Sequence, residues 1–369
     1  MPEPHEQLDA EAIARALTGW FEANARDLPW RRTRDPYAIW VSEVMLQQTR
    51  VETVEGYWGR FLARFPDLAS LAAADEQEVL GQWSGLGYYR RARLLHRGAR
   101  HVRDELGGEL PDRPERLREI PGIGRYTAGA IASIAFDRPA ALVDGNVARV
   151  HARLAAIEEP REQDANHPGP WRFVERVLEH GSPRVLAQAL MELGATVCTP
   201  RSPTCLTCPL RAHCRARAAG LEQAIPAVKI KRPSPELHFH AIALRWGDRL
   251  LLERRADEGL LAGLWCLPLF EGESDDRDAL AEQARASFGV ALELADDPVD
   301  EVRHVFSHRI WRIRPWIARA KRAPKLRGRD DGRELAWLVG ERGPEGGIPT
   351  LTRKLLAALE REPTDEDGG

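Results

Sequence analysis

Between residues 8 and 219, apolar positions recur at helical spacing in short amphipathic stretches. Glycine and proline separate them, as at Phe65-Pro66-Asp67 and Leu110-Pro111-Asp112. The pattern predicts a mostly helical region. Ser42 to Thr53 reads as helix, and Leu117 to Phe136 reads as two helices around the tight turn Ile120-Pro121-Gly122-Ile123-Gly124. The second of these, Tyr126 to Phe136, is built from Ala, Gly and Ile and is expected to pack closely. The periodicity lapses at 220–235, where Pro226, Pro233 and Pro235 stand with Lys229, Lys231 and Arg232, a composition that predicts a semi-rigid linker. Beyond it, His238 to Leu244 and Arg249 to Glu253 alternate like strands around Trp246-Gly247-Asp248. Ala279 to Phe288 reads as helix, and Glu301 to His308 and Ile310 to Ala318 read as strands. The expected organisation is a helical domain at 1–219, the linker, a smaller α+β domain at 236–360 and a disordered acidic tail at 361–369.

Composition narrows the class. The 369 residues are 43% hydrophobic and 30% charged, which suits a soluble chain of two or three domains and argues against general disorder. The longest apolar run, Leu260 to Phe270, is far short of the ~18 residues of a membrane span. The polar start Met1-Pro2-Glu3-Pro4-His5-Glu6 is unlike a secretory signal. The expectation is therefore a cytoplasmic protein, nucleoid-associated in a bacterium, with no membrane partner. A net charge of -3 provides no global field for nucleic acid, although a local basic stripe is enough. Only five basic residues are lysine, and none precedes Lys229, so residues 1–228 cannot form a lysine Schiff base.

Four of the five cysteines, Cys198, Cys205, Cys208 and Cys214, fall in the pattern C-x6-C-x2-C-x5-C. In a reducing compartment such a cluster points to metal ligation rather than disulfides. Four thiolates suit zinc or an iron-sulfur cluster, and the spacing does not separate the two. Cys266, inside Leu264-Trp265-Cys266-Leu267, reads as an inert core thiol.

The helix, turn and helix around Ile120-Pro121-Gly122-Ile123-Gly124 form a helix-hairpin-helix whose Gly122 and Gly124 let a phosphate approach the backbone. Asp144 follows in Val143-Asp144-Gly145-Asn146-Val147, and the four cysteines follow that. In this order the motifs resemble the helix-hairpin-helix DNA glycosylase superfamily with its iron-sulfur loop. Trp40-Val41-Ser42-Glu43-Val44-Met45-Leu46-Gln47-Gln48-Thr49, Gly85-Leu86-Gly87-Tyr88-Tyr89 and Met191-Glu192-Leu193-Gly194-Ala195 narrow the resemblance to adenine DNA glycosylases of the MutY type. The fold this implies is multidomain, an all-α glycosylase domain with a [4Fe-4S] loop followed by an α+β Nudix-like domain. Its partner would be double-stranded DNA carrying A:8-oxoguanine or A:G mispairs, bound by a monomer.

Releasing a base resembles glycoside hydrolysis and needs one protonated and one ionised carboxyl group. Glu43 lies among Val41, Val44, Met45 and Leu46, where desolvation raises its pKa. The resemblance sets Glu43 against adenine N7 and Asp144, kept ionised, against the sugar cation, with Tyr126 and Asn146 bonding to that centre. Lyase members carry a lysine where this chain has Tyr126, so the resemblance implies a monofunctional enzyme that leaves an intact abasic site. It also assigns the adenine pocket to Arg26, Leu28, Trp30, Arg31, Gln188 and Met191, with Gln188 standing where some relatives have glutamate. Gln48, Thr49, Leu86 and Tyr88 would contact DNA or fill the gap left by the extruded base. Arg90, Arg91, Arg93, Arg97, Arg100 and Arg103 form an arginine-rich helix, and Arg201, Arg211, Arg215 and Arg217 border the cysteines. In the Nudix-like domain the paired glutamates that would hold Mg²⁺ are replaced by Ala286 and Ser287, so no nucleotide hydrolysis is expected. Phe306, Ser307 and His308 match the loop that reads 8-oxoguanine.

Overall fold

The computed structural model describes residues 8–227, 233–274, 276–326, 334–340 and 342–361. Contacts divide the chain into two units, Met1–Ala73 with Arg90–Ile230, and Ala74–Tyr89 with Lys231–Gly369. Among the described residues no helix is long and apolar enough to cross a membrane. Parts of the linker (228–232) and of the acidic tail (362–369) lie outside the described residues.

The first unit is helical. Helix Ala10–Asn24, capped by the Asp9 side chain, buries Ile13, Ala14, Leu17 and Phe21 along one stripe. That stripe joins a core built from helices Gly145–Ala155, Pro168–Leu178 and Pro183–Thr196. Two sequence expectations change here. The helix read across Ser42 to Thr53 is two helices, Pro36–Leu46 and Val51–Arg64, with Gln48 between them at φ +57°. The cause is remote in sequence. The Arg91 guanidinium donates to the carbonyls of Val44 (3.0 Å), Met45 (2.8 Å) and Gln47, and to Thr49 Oγ1 at 3.0 Å, so it satisfies the end of the first helix and holds the break open. The second helix of the hairpin starts at Arg125 and turns from α (Arg125–Ala130) to π winding (Ile131–Ala135). Its small residues do pack closely. A Cβ on Gly129 would lie 2.0 Å from the Ala141 carbonyl oxygen.

Among the described residues the second unit forms a mixed sheet of eight strands: β1 (Glu236–Trp246), β2 (Arg249–Arg254), β3 (Trp265–Cys266), β4 (Leu269–Glu271), β5 (Leu292–Leu294), β6 (Val302–Val305), β7 (Ile310–Ala320) and β8 (Leu335–Val339). The central order is β3-β2-β1-β7-β5, with β4 on β1, β6 on β7 and β8 on β2. β1 and β7 run parallel, from Glu236 opposite Ile310 to Arg245 opposite Arg319, and the other pairings are antiparallel. Ile242 and Leu244 of β1 face the core under helix Arg277–Phe288. Phe239, Ala241 and Ala243 face the core under helix Thr350–Leu359. β1 is thus buried on both faces from Phe239 to Leu244, although its residues read from the sequence as alternating. The strand expected to reach His308 stops at Val305, because Phe306 N–H turns back to the Arg309 carbonyl at 2.9 Å. Cys266 is 1% exposed, and burial pushes its thiol up to about 11, as an inert core thiol requires.

Residues 74–89 are tied into this second unit. Ser84 Oγ donates to the Ile348 carbonyl at 2.8 Å and accepts from Ile348 N–H at 3.2 Å, and the Tyr89 hydroxyl donates to the same carbonyl at 3.1 Å.

Candidate active site

Helix Pro36–Leu46 is buried from Tyr37 through Met45, and Glu43 sits within that run at 5% exposure. Desolvation pushes its carboxyl up to about 7, a nearby Asp144 adds to the rise, and the Tyr126 hydrogen bond and Arg31 oppose it. Tyr126 follows the hairpin turn by two residues and donates to Glu43 Oε2 at 2.8 Å, with its hydroxyl 3.2 Å from Met191 Sδ. Burial and the Glu43 charge push the phenol well above its usual range, so it stays a donor.

Asp144 caps helix Gly145–Ala155, accepting from Val147 N–H through Oδ1 and from Asn146 Nδ2 through Oδ2, both at 2.8 Å. Asn146 in turn accepts from Arg149 Nη2 at 2.8 Å, and Arg149 also donates to the carbonyls of Gly194 and Cys198. Gly194 makes that packing possible, since a Cβ there would lie 2.6 Å from Asn146 Cβ. One cavity of about 960 Å³ is lined by Glu43, Tyr126, Asp144 and Asn146, by all six residues expected to hold adenine, and by Gln48, Thr49, Gly122 and Gly124. Gly122 has φ +86°, and a Cβ there would strike Leu94 at 2.7 Å. A Cβ on Gly124 would meet open space, which leaves the start of the following helix uncovered.

Residues 41–168 match the model of the HhH-GPD superfamily of base excision DNA repair proteins, and residues 240–358 match that of the NUDIX domain. The adenine DNA glycosylase of Mus musculus is 36% identical over 95% of this chain and 78% of its own length. The chain belongs to the adenine DNA glycosylase family. The Buchnera aphidicola (Acyrthosiphon pisum) adenine DNA glycosylase is 29% identical over 93% of this chain and 96% of its own. A solved thermostable thymine-DNA glycosylase superposes with TM-score 0.52 at 27% identity, covering 57% of this chain and 97% of its own. The chain is thus a DNA glycosylase with a helical HhH-GPD domain followed by a Nudix-like domain.

Within this family member, the pocket arginines are engaged in a way that residue type alone did not reveal. Arg26 forks onto Glu192 through Nε (2.8 Å) and Nη2 (2.7 Å), and Arg31 Nη2 reaches the same carboxylate at 2.8 Å. Burial alone would raise the Glu192 carboxyl, but the two arginines override it and hold it at about 2. Gln188 commits its amide nitrogen to the Arg184 carbonyl at 3.0 Å. Trp30 is buried edge-on to Trp58.

The residues expected to act outside the cavity are placed differently from one another. Gln48 is exposed, and Tyr88 is 48% exposed. Leu86 is packed at 6% exposure. Ser307 and His308 are exposed, and Ser307 Oγ lies 3.1 Å from the Tyr88 hydroxyl. Phe306 is half-buried, with its ring 4.8 Å from that of Trp311. In the arginine-rich helix Arg90–Glu105, Arg91 is buried and Arg90, Arg97 and Arg100 are exposed.

Cys198, Cys205, Cys208 and Cys214 are half-buried free thiols on one loop. Burial, with the neighbouring cysteines adding, pushes Cys208 up to about 11. Arg153 Nη1 lies 3.3 Å from Cys198 Sγ. Among the described residues, no group of three or more His, Cys, Asp or Glu side chains stands in the geometry of a metal site.

Proposed function

We propose that this protein hydrolyses the N-glycosidic bond of adenine mispaired with 8-oxoguanine, or with guanine, in double-stranded DNA, and leaves an intact abasic site. The supporting observation is one cavity that holds two carboxyl groups in opposite settings, Glu43 in an apolar helix and Asp144 among donors. Adenine is extruded into the cavity. Glu43, held at Oε2 by Tyr126, gives its proton to N7, and the C1′–N9 bond breaks with its electron pair passing to the base. Asp144 faces the resulting sugar cation, and water adds at C1′ while losing a proton to the Glu43 carboxylate, which restores the acid. Among the described residues no lysine lines the cavity, which supports a monofunctional reaction. The backbone at Gly122 and Gly124 would hold phosphate, and Gln48 and Tyr88, both exposed, would fill the gap. Leu86 would have to leave its packing to do so.

In the second unit, helix Arg277–Phe288 carries Ala286 and Ser287 at the positions that would otherwise supply metal-binding glutamates. We assign this unit to reading the opposite base, through Phe306, Ser307 and His308. The protein would act as a monomer.

Labelled duplexes carrying A opposite 8-oxoguanine, G, C or T, and T opposite G, test the assignment. Strand breaks should appear only after alkali, fastest for A opposite 8-oxoguanine and next for A opposite G. Breaks without alkali, or release of thymine in place of adenine, would refute it. Ser307→Ala should narrow the margin between 8-oxoguanine and G about fivefold, the worth of one hydrogen bond of ~1 kcal/mol.

Cys198, Cys205, Cys208 and Cys214 fit a [4Fe-4S] cluster by their donor chemistry, four free thiols on one short loop. When bound, the cluster would tie that loop together. Purified protein should be straw-brown and contain iron rather than zinc. Cys205→Ser should lose the colour, and Cys266→Ser should keep it. Colourless, active protein with one zinc per chain would overturn the choice.

A further inference from the structure

Glu192 is the most buried carboxylate beside the cavity, at 1% exposure, and no role in the reaction above requires it. It receives both Arg26 guanidinium contacts, the Arg26 backbone N–H at 3.1 Å and Arg31 Nη2 at 2.8 Å. Arg31 is anchored on its other side, with Nη1 donating to the Arg26 carbonyl at 2.9 Å. Its side chain is only 14% exposed, so water screens its charge poorly. Arg31 is also the cation whose field acts on Glu43. A cation at short range favours the ionised form of a carboxyl and lowers its pKa by about 1–3 units.

We infer that Glu192 is a positioning residue for excision: its carboxylate clamps Arg26 and Arg31 and offsets part of their charge, so that Arg31 does not turn to Glu43 and favour its ionised form. The inference rests on the reading of Glu43 as the proton donor. Other groups facing the pair are already balanced or point elsewhere. Tyr126 donates to Glu43, and Asp144 acts in favour of its protonated form. Glu52 and Glu55, from helix Val51–Arg64, act on Arg26. Arg91 is spent on the carbonyls at the end of the Glu43 helix. The π-helical segment Ile131–Ala135 packs on that helix and carries no titratable side chain.

The test is single-turnover excision of A opposite 8-oxoguanine from about pH 5 to 9. The native enzyme should slow as pH rises through about 7, where Glu43 loses its proton. In Glu192→Gln the falling limb should move about one unit lower, giving an extra loss of about tenfold on the alkaline side and much less on the acid plateau. Arg31→Gln should move the limb the other way, to higher pH. Glu192→Asp keeps the charge and should leave the limb in place even if the plateau drops. A purely structural role would cut the rate by one factor at every pH in all three variants, and that result would overturn the inference, as would a limb that moves equally in Glu192→Asp and Glu192→Gln. If Glu192→Gln does not fold, the upward shift in Arg31→Gln and the fixed limb in Glu192→Asp carry the test. Excision retained by Glu43→Gln would sink the underlying reading. An inactive Glu43→Gln together with an unmoved limb in Glu192→Gln would sink the role of Glu192 alone.

Discussion

Glu43→Gln should lose excision by about 10²–10⁴-fold, the usual worth of a positioned general acid, while still binding an A:8-oxoguanine duplex. Gln matches the shape of Glu and can still take the Tyr126 hydrogen bond, which is now 2.8 Å long, so the pocket should keep its form. What it lacks is the acidic proton. Glu43 is suited to supply that proton near neutrality because eight of its neighbours along Pro36–Leu46 are buried with it and desolvation outweighs the opposing pull of Tyr126 and Arg31. Single-turnover excision and a gel-shift titration on the same preparation check both halves. Near-normal excision would refute the assignment, and loss of binding in parallel would make the defect one of folding.

Asp144→Asn should cost about 10²–10³-fold through loss of negative charge at the sugar cation, with little change in melting temperature. The second half separates two roles. As the cap of helix Gly145–Ala155, Asp144 accepts from Val147 N–H, and asparagine caps about as well as aspartate. If the residue were only a cap, Asn would serve and the rate would hold. With its one amide oxygen on Val147 N–H, asparagine keeps the cap, but its amide nitrogen then faces Asn146 Nδ2, so that bond is lost together with the charge. A single-turnover rate within a few-fold of native would remove Asp144 from the reaction.

Much of the fold was legible because its signals are local. The strands on either side of Trp246-Gly247-Asp248 form as β1 and β2, and the helix expected from Ala279 runs Arg277–Phe288. The break at Gln47 was not legible, because the apolar rhythm continues through it and the group that enforces it, Arg91, lies more than forty residues on. The same holds for residues 74–89. Their periodicity is that of the helices around them, yet Ser84 and Tyr89 bond to Ile348, more than 250 residues away.

By itself the sequence determined that Glu43 lies in an apolar helix, that the four thiols Cys198, Cys205, Cys208 and Cys214 share one loop, and that residues 1–228 hold no lysine. Each is a property of composition or of a few neighbouring positions. Only the tertiary structure decided which charges meet. The resemblance assigned Arg26 and Arg31 to the adenine pocket without giving them a partner, and folding sets both on Glu192, which is 166 and 161 residues distant. An ion pair formed across such a separation leaves no periodicity to detect. Long-range Coulomb partners depend on where helices cross, and that is set by the packing of the whole core.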